Sequence, residues 1–187
     1  MKRCGWVTQD VLYQDYHDNE WGKPCTDGQK LFELLCLEGQ QAGLSWITVL
    51  KKRENYRRCF YQFDAYRIAR MTPDDVDALM QDSGIIRHRG KIEAIITNAR
   101  AWLEMESQGE SFSHFIWSFV DHRPQLNRPA SLAGVPAKTA VSDAMSKALK
   151  KRGFKFIGST ICYAFMQAGG LVDDHTADCF CHRDAAT

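Results

Sequence analysis

An acid stands inside the apolar run from Leu31 to Trp46, which reads Leu-Phe-Glu-Leu-Leu-Cys-Leu-Glu-Gly-Gln-Gln-Ala-Gly-Leu-Ser-Trp. Neighbours on a helix lie three and four positions apart, so Glu38 shares its face with Leu34, Leu35, Gln41 and Ala42. Glu33 differs, because Lys30 and the exposed side of the same helix are open to it. A carboxylate among apolar neighbours loses water, which raises its pKa unless a cation or hydrogen-bond donors compensate. Trp46, beyond a glycine-interrupted turn, adds a large flat apolar surface. An acid and an indole in that relation suit a pocket for a planar, electron-poor ligand. A helix-end cap or a salt bridge at Glu38 would leave the same pattern, and periodicity does not choose between them.

Metal chemistry is the second possibility. His175 and Cys179 are four apart, on one face if helical, while Cys4 and His17 lie near the other end of the chain. A Cys2His2 set suits structural zinc, which takes four ligands in a tetrahedron, and such a site would tie the two termini together. Cys25, Cys181 and His182 compete as ligands, so spacing alone leaves the metal open.

The third is anion binding. The net charge is only +1, yet Ala144 to Val172 holds no acid while carrying Lys147, Lys150, Lys151, Arg152 and Lys155. Gly84 to Ile92 holds Arg87, His88, Arg89 and Lys91, again without an acid, and Lys51-Lys52-Arg53 forms a further cluster. Single charge runs are usually solvated helix faces; three of them point to a polyanion. Within the first, Gly153-Phe154-Lys155-Phe156-Ile157-Gly158 joins two helical patterns. A glycine-edged turn of this kind directs the N–H groups of the second helix outward, where its dipole favours an anion such as a DNA phosphate. An ordinary helical hairpin with glycine caps is the plainer alternative.

The elements that must position these groups are helical. The patterns predict helices from Asp27 or Gly28 to about Gln41, from an N-cap at Ser45 through Arg53, and from Thr72-Pro73 toward Gly84. They continue with an amphipathic helix through Ile92 and Leu103, a short aromatic one from Phe112 to Val120, a helix capped by Ser142 that runs to Arg152, and one from Thr160 to Ala168. His122 to Thr139, with three prolines, is the main irregular connection, and no strand is expected. The fold class is all-α. A chain of 187 residues, 44% of them hydrophobic, can bury a proper core. No apolar stretch approaches the ~20 residues that span a bilayer, and no secretory h-region follows the basic start. The seven cysteines are odd in number and irregularly spaced, which fits reduced thiols. A cytoplasmic monomer is expected.

Cys4-Gly5-Trp6, Tyr16-His17-Asp18-Asn19-Glu20-Trp21-Gly22, Glu38 to Trp46, Gly84 to His88, and Lys151 to Gly158 followed by His175 and Cys179 together resemble the DNA-3-methyladenine glycosylase I family. The resemblance runs in order through nearly the whole chain. It implies a two-lobed helix-hairpin-helix fold in one domain, 1–187, with the hairpin at about 142–169. It also implies one structural zinc held by Cys4, His17, His175 and Cys179, joining the terminal segments 1–25 and 170–187. The implied substrate is 3-methyladenine in double-stranded DNA, bound by Glu38, Trp46, Tyr16, Trp6, Tyr13 and Trp21, with Glu38 as the catalytic candidate. DNA contacts are expected at Leu44, Gly153, Lys155 and Gly158. Phe156 departs from the pattern, standing where the hairpin's first glycine is expected. Superfamily members that break less labile bonds carry an acid in a Val-Asp-x-His segment, and Asp173 occupies that place here. The methyladenine-specific family does not rely on an acid there, so Asp173 is expected to cap a helix or to orient His175.

Two classes of function follow. One is a monofunctional glycosylase that flips the base and hydrolyses its N-glycosidic bond. The other is a zinc-stabilised nucleic-acid-binding module without chemistry. An acid in an aromatic pocket separates them, since a pure backbone binder has no use for it. A catalytic zinc is disfavoured, because four protein ligands leave no position for water.

Overall fold

The computed structural model describes residues 1–183; the last four residues of the segment 170–187 lie outside the described residues. Ten α-helices among the described residues carry the fold: α1 (Val11–Asn19), α2 (Gly28–Gln40), α3 (Trp46–Leu50), α4 (Arg53–Cys59), α5 (Ala65–Ile68), α6 (Pro73–Leu79), α7 (Arg89–Ser107), α8 (Phe112–Ser118), α9 (Ala140–Lys151) and α10 (Ser159–Ala168). Their starts follow from side chains that accept the orphan N–H groups of a first turn. Asp10 accepts from Leu12 and Tyr13, Asp27 from Lys30, and Thr72 exchanges bonds with Asp75.

Most of the expected elements are present, with these differences. The helix expected from Ser45 through Arg53 stops at Leu50 as α3, and a separate helix, α4, opens at Arg53. Ser45 sits at the cap position of α3, but its hydroxyl meets Thr48 Oγ1 at 2.8 Å instead of a backbone N–H. The helix expected to open at Ser142 opens earlier: Thr139 is the cap, and Ser142 is its reciprocal partner one turn in. The patterns also missed α4 beyond Arg53, α5, and α1, whose mean polarity hides its buried face, as well as a pair of two-residue strands. These are β1 (Gln125–Leu126) and β2 (Val172–Asp173), paired in parallel. They pin the irregular 122–139 connection to the C-terminal segment.

The large core gathers Leu31, Phe32, Leu35, Phe60, Ile95, Phe112, Phe154 and Phe165 among others, so α2, α7 and α10 share one interior. A smaller cluster, with Cys4, Tyr16, Trp21, Leu50, Ala168 and Cys179, closes the chain ends over α1 and α10. Lys91, counted above among the polyanion-facing cations, is instead buried. Its ammonium donates to the carbonyls of Gln40 (3.0 Å) and Ala42 (2.6 Å), closing the C-terminal end of α2. Burial lowers its pKa.

Candidate active site

Glu38 lies on the last turn of α2, 4% exposed, and opens on a cavity of about 290 Å³. The same cavity receives Trp6, Tyr13, Tyr16, Trp21 and Trp46, so all six residues proposed for the base share one site. The spacing of α1 explains part of this: Tyr13 and Tyr16 are three apart and share the cavity face. Trp6 meets Tyr13 and Trp21 at ring-centroid distances of 5.0 Å each, and Tyr16 meets Trp46 at 5.6 Å. One stripe of α10, Thr160, Tyr163, Ala164 and Gln167, also lines the cavity, together with Asp174 and residues of the 132–137 segment.

No donor among the described residues bonds the Glu38 carboxyl, and burial alone pushes its pKa up to about 8. At neutral pH the empty cavity therefore holds mostly the neutral acid. The Trp46 indole N–H is also buried and has no partner among the described residues.

Leu44 does not line the cavity. It stands on the surface, 42% exposed, in the turn after α2 where Gly43 takes φ +79. The hairpin between α9 and α10 reaches that turn from the other side. Phe156 adopts φ +55, the left-handed conformation that its place in the loop demands and that glycine would adopt more easily. Its carbonyl oxygen lies 2.9 Å from where a Cβ on Gly39 would sit, so the residue beside Glu38 packs directly on hairpin backbone. Asn98 clamps the loop by accepting from Lys155 N (2.8 Å) and donating to its carbonyl (3.2 Å). The Lys155 side chain is exposed, and Gly158 starts α10 without a side-chain cap.

The basic clusters are thinner than their sequence suggests. Arg152 forms a two-pronged pair with Glu110 at 2.9 and 2.8 Å, Arg53 does so with Glu20 at 2.9 and 3.0 Å, and Lys51 reaches Asp10. Lys147, Lys150, Lys151 and Lys155 make no ion pair among the described residues.

Behind the aromatic wall, ligating atoms of Cys4, His17 and Cys179 lie within 4.8 Å of one another, and those of His17, His175 and Cys181 do likewise. His175 Nε2 is buried without a partner. Each imidazole is oriented through its other nitrogen: His17 Nδ1 meets Asp18 at 2.8 Å and His175 Nδ1 meets Asp173 at 2.7 Å. Carboxylates placed this way leave both Nε2 atoms for a metal. The set fits zinc in donor chemistry. Of the competing ligands, Cys181 is close, Cys25 faces the Asp27 carbonyl and His182 faces that of Asn127. Trp21 stands edge-on to His175 at 4.8 Å, so the Cys and His cluster packs against the cavity wall.

Asp173 bonds both the ring and the backbone N–H of His175, and its second oxygen accepts from Arg183 at 3.0 Å. It orients His175 and does not line the cavity; Asp174 does. Asp174, Tyr163 and Gln167 escaped the sequence reading. The α10 stripe at positions 160, 163, 164 and 167 was a usable signal, but it reads equally as core.

Comparison with known proteins agrees with this site. The family model described as methyladenine glycosylase matches residues 6–182. DNA-3-methyladenine glycosylase 1 of Escherichia coli is 66% identical over 97% of both chains. A crystal structure of 3-methyladenine DNA glycosylase I superimposes with a TM-score of 0.97 at 69% identity, over 97% of this chain and 100% of that one. The Staphylococcus aureus enzyme, described for its recognition of 3-methyladenine, superimposes at 0.94 with 41% identity over 98% of each. This chain, with its buried acid in a cavity lined by aromatic side chains, belongs to the methyladenine glycosylase family.

Proposed function

We propose that the protein is a monofunctional DNA glycosylase that takes 3-methyladenine out of alkylated DNA and hydrolyses its N-glycosidic bond. The observation that carries the reading is Glu38, a buried acid without a donor at the edge of an aromatic cavity. A base inside a duplex must leave the stack before its glycosidic bond can be reached. Methylation at N3 spreads positive charge over the purine. Stacking on Trp46 and Tyr16 is worth ~1–3 kcal/mol per base, and a desolvated cation over an indole ~2 kcal/mol or more. Trp6, Tyr13 and Trp21 complete the apolar surround.

A cation beside Glu38 favours its carboxylate, which then accepts from the exocyclic amine. The base departs with the glycosidic electron pair, which cancels its own charge, so no proton has to be delivered to it. Water adds to the sugar carbon and loses a proton to solvent, leaving an abasic site. No lysine lines the cavity among the described residues, which supports hydrolysis without strand cleavage.

The hairpin would hold the DNA backbone through Lys155 and the N–H groups near Gly153 and Gly158, with Leu44 at the gap left by the flipped base. Cys4, His17, His175 and Cys179 would hold one zinc, whose contribution is to fix the chain ends behind the aromatic wall. The whole chain, 1–187, would act as one two-lobed helix-hairpin-helix domain, with the hairpin element at about 142–169. Among the described residues no helix is long and apolar enough to cross a membrane, and we take the enzyme to work in the cytoplasm as a monomer. Incubating methylated duplex DNA with the protein and identifying the released bases tests the reading. Free 3-methyladenine is expected; a duplex that is bound but releases no base would overturn it.

A further inference from the structure

Two carboxyl side chains line the cavity, and their surroundings are opposite. Glu38 has no donor. Asp174, 2% exposed, has three: Tyr163 donates to Oδ2 at 2.5 Å, Gln167 to Oδ2 at 3.0 Å and Asn127 to Oδ1 at 2.7 Å. All three are neutral groups, and no cation among the described residues pairs with Asp174. The neighbouring acid shows the contrast. Asp173 points away, to His175 and to the guanidinium of Arg183. Buried carboxylates are normally matched by a cation, and here the open space beside Asp174 is the cavity itself.

We propose that Asp174 is a specificity-determining residue, its buried carboxylate serving as the resident counter-ion for a cationic purine in the cavity. The proposal rests on the base-excision reading and deepens it. Glu38 lacks donors and reads the edge of the base, while Asp174 supplies a fixed negative charge in surroundings of low polarity, where charge is screened least. Its three donors engage both carboxyl oxygens. They also hold it still: Tyr163 and Gln167 share one face of α10, and Asn127 is anchored to the Asp173 carbonyl by its own N–H at 3.0 Å. The aromatic surround alone accepts any flat base. A fixed charge in the same cavity discriminates between the N3-methylated nucleotide, which is cationic, and ordinary adenine, which is not.

The test compares two ligands on zinc-replete protein at one pH. One is adenine methylated at N3 and N9, which keeps the positive charge of the damaged nucleotide; the other is free 3-methyladenine, which is neutral. Asp174→Asn should weaken binding of the cation roughly tenfold or more while leaving the neutral base within about twofold. Single-turnover release of 3-methyladenine from DNA should slow with it. Asp174→Ser gives a second neutral variant should the amide mismatch its donors. Equal loss for both ligands, or loss for neither, in a variant that keeps its zinc and cooperative unfolding, overturns the proposal. Collapse of both variants overturns it as well, by showing that the charge is required for folding. A wild-type protein that releases no base from methylated DNA would sink the excision reading instead, whatever the two ligands do.

Discussion

Glu38→Gln should make the protein more stable while impairing recognition, and the size of the gain should depend on pH. The carboxyl is pushed from an ordinary 4.5 to about 8 by burial alone. An acid whose pKa is raised in the folded state binds more protons there than in the unfolded chain. Its folded form is therefore unpenalised below the ordinary value, and stability is lost as pH rises toward 8. Integrating between those two values, the wild type should fall behind the Gln variant by about 1 kcal/mol near pH 5, about 3 near pH 7 and about 5 above pH 9. Gln occupies the same volume and carries no charge to desolvate, so its own stability should lack this slope. Denaturant unfolding of both proteins across that range measures the difference directly. A difference that stays flat with pH would refute the reasoning, because it would mean that Glu38 finds water or a donor in solution. Recognition should move the other way. Losing one charged hydrogen bond costs about 1.5–3 kcal/mol, so the cationic N3-methylated base should bind more weakly to the variant that unfolds less readily.

Cys179→Ser or His175→Ala should lower zinc content and melting temperature together, and a protein equally stable without metal would show that the Cys and His cluster is only packing. Lys155→Ala should reduce the slope of log K for duplex DNA against log salt by roughly one and leave free-base binding unchanged; an unaltered slope would place that ammonium in bulk solvent. Gly39→Ala adds a Cβ 2.9 Å from the Phe156 carbonyl and 3.3 Å from its Cβ. Overpacking against backbone should cost about 1–3 kcal/mol and weaken DNA binding, whereas helix propensity alone would favour Ala by up to about 1 kcal/mol. A net gain in stability decides against the contact.

Glu38 could be singled out from sequence because its helical neighbours are apolar, and that local fact survives folding: the residue is buried where periodicity put it. The same periodicity could not show that donors would be missing, since that depends on which side chains from other elements reach the cavity. Long-range pairing defeated other local inferences. Lys91 looked like part of a basic patch, yet its partners are carbonyls at the end of α2, some fifty residues earlier. Arg152 looked free until Glu110 met it. Caps within a turn were more legible, as at Asp27 and Thr72, because the competing groups lie within a few residues. Thr139 lost to Ser142 in the sequence reading because both are cap formers three apart, and only the backbone decides which one leads.

The departures from local good practice in this chain collect around one place. A buried acid without a donor ends α2, a phenylalanine holds a left-handed backbone in the hairpin, and a buried carboxylate without a cation faces the same cavity. Each costs stability where it stands. Sequences specify folds by keeping local and global preferences consistent, and violations persist at sites of function. Here two of the three are mechanically joined, because Gly39 follows Glu38 directly and lies under the Phe156 carbonyl. A shift of the hairpin against DNA is thus a shift against the turn of helix that carries the acid. On the proposed reading, backbone contacts of the hairpin would not distinguish one DNA sequence from another, but through Gly39 they would fix where Glu38 stands when a base arrives. Selectivity for the damaged base then resides in charge and shape inside the cavity, and the hairpin sets the position from which that charge is read.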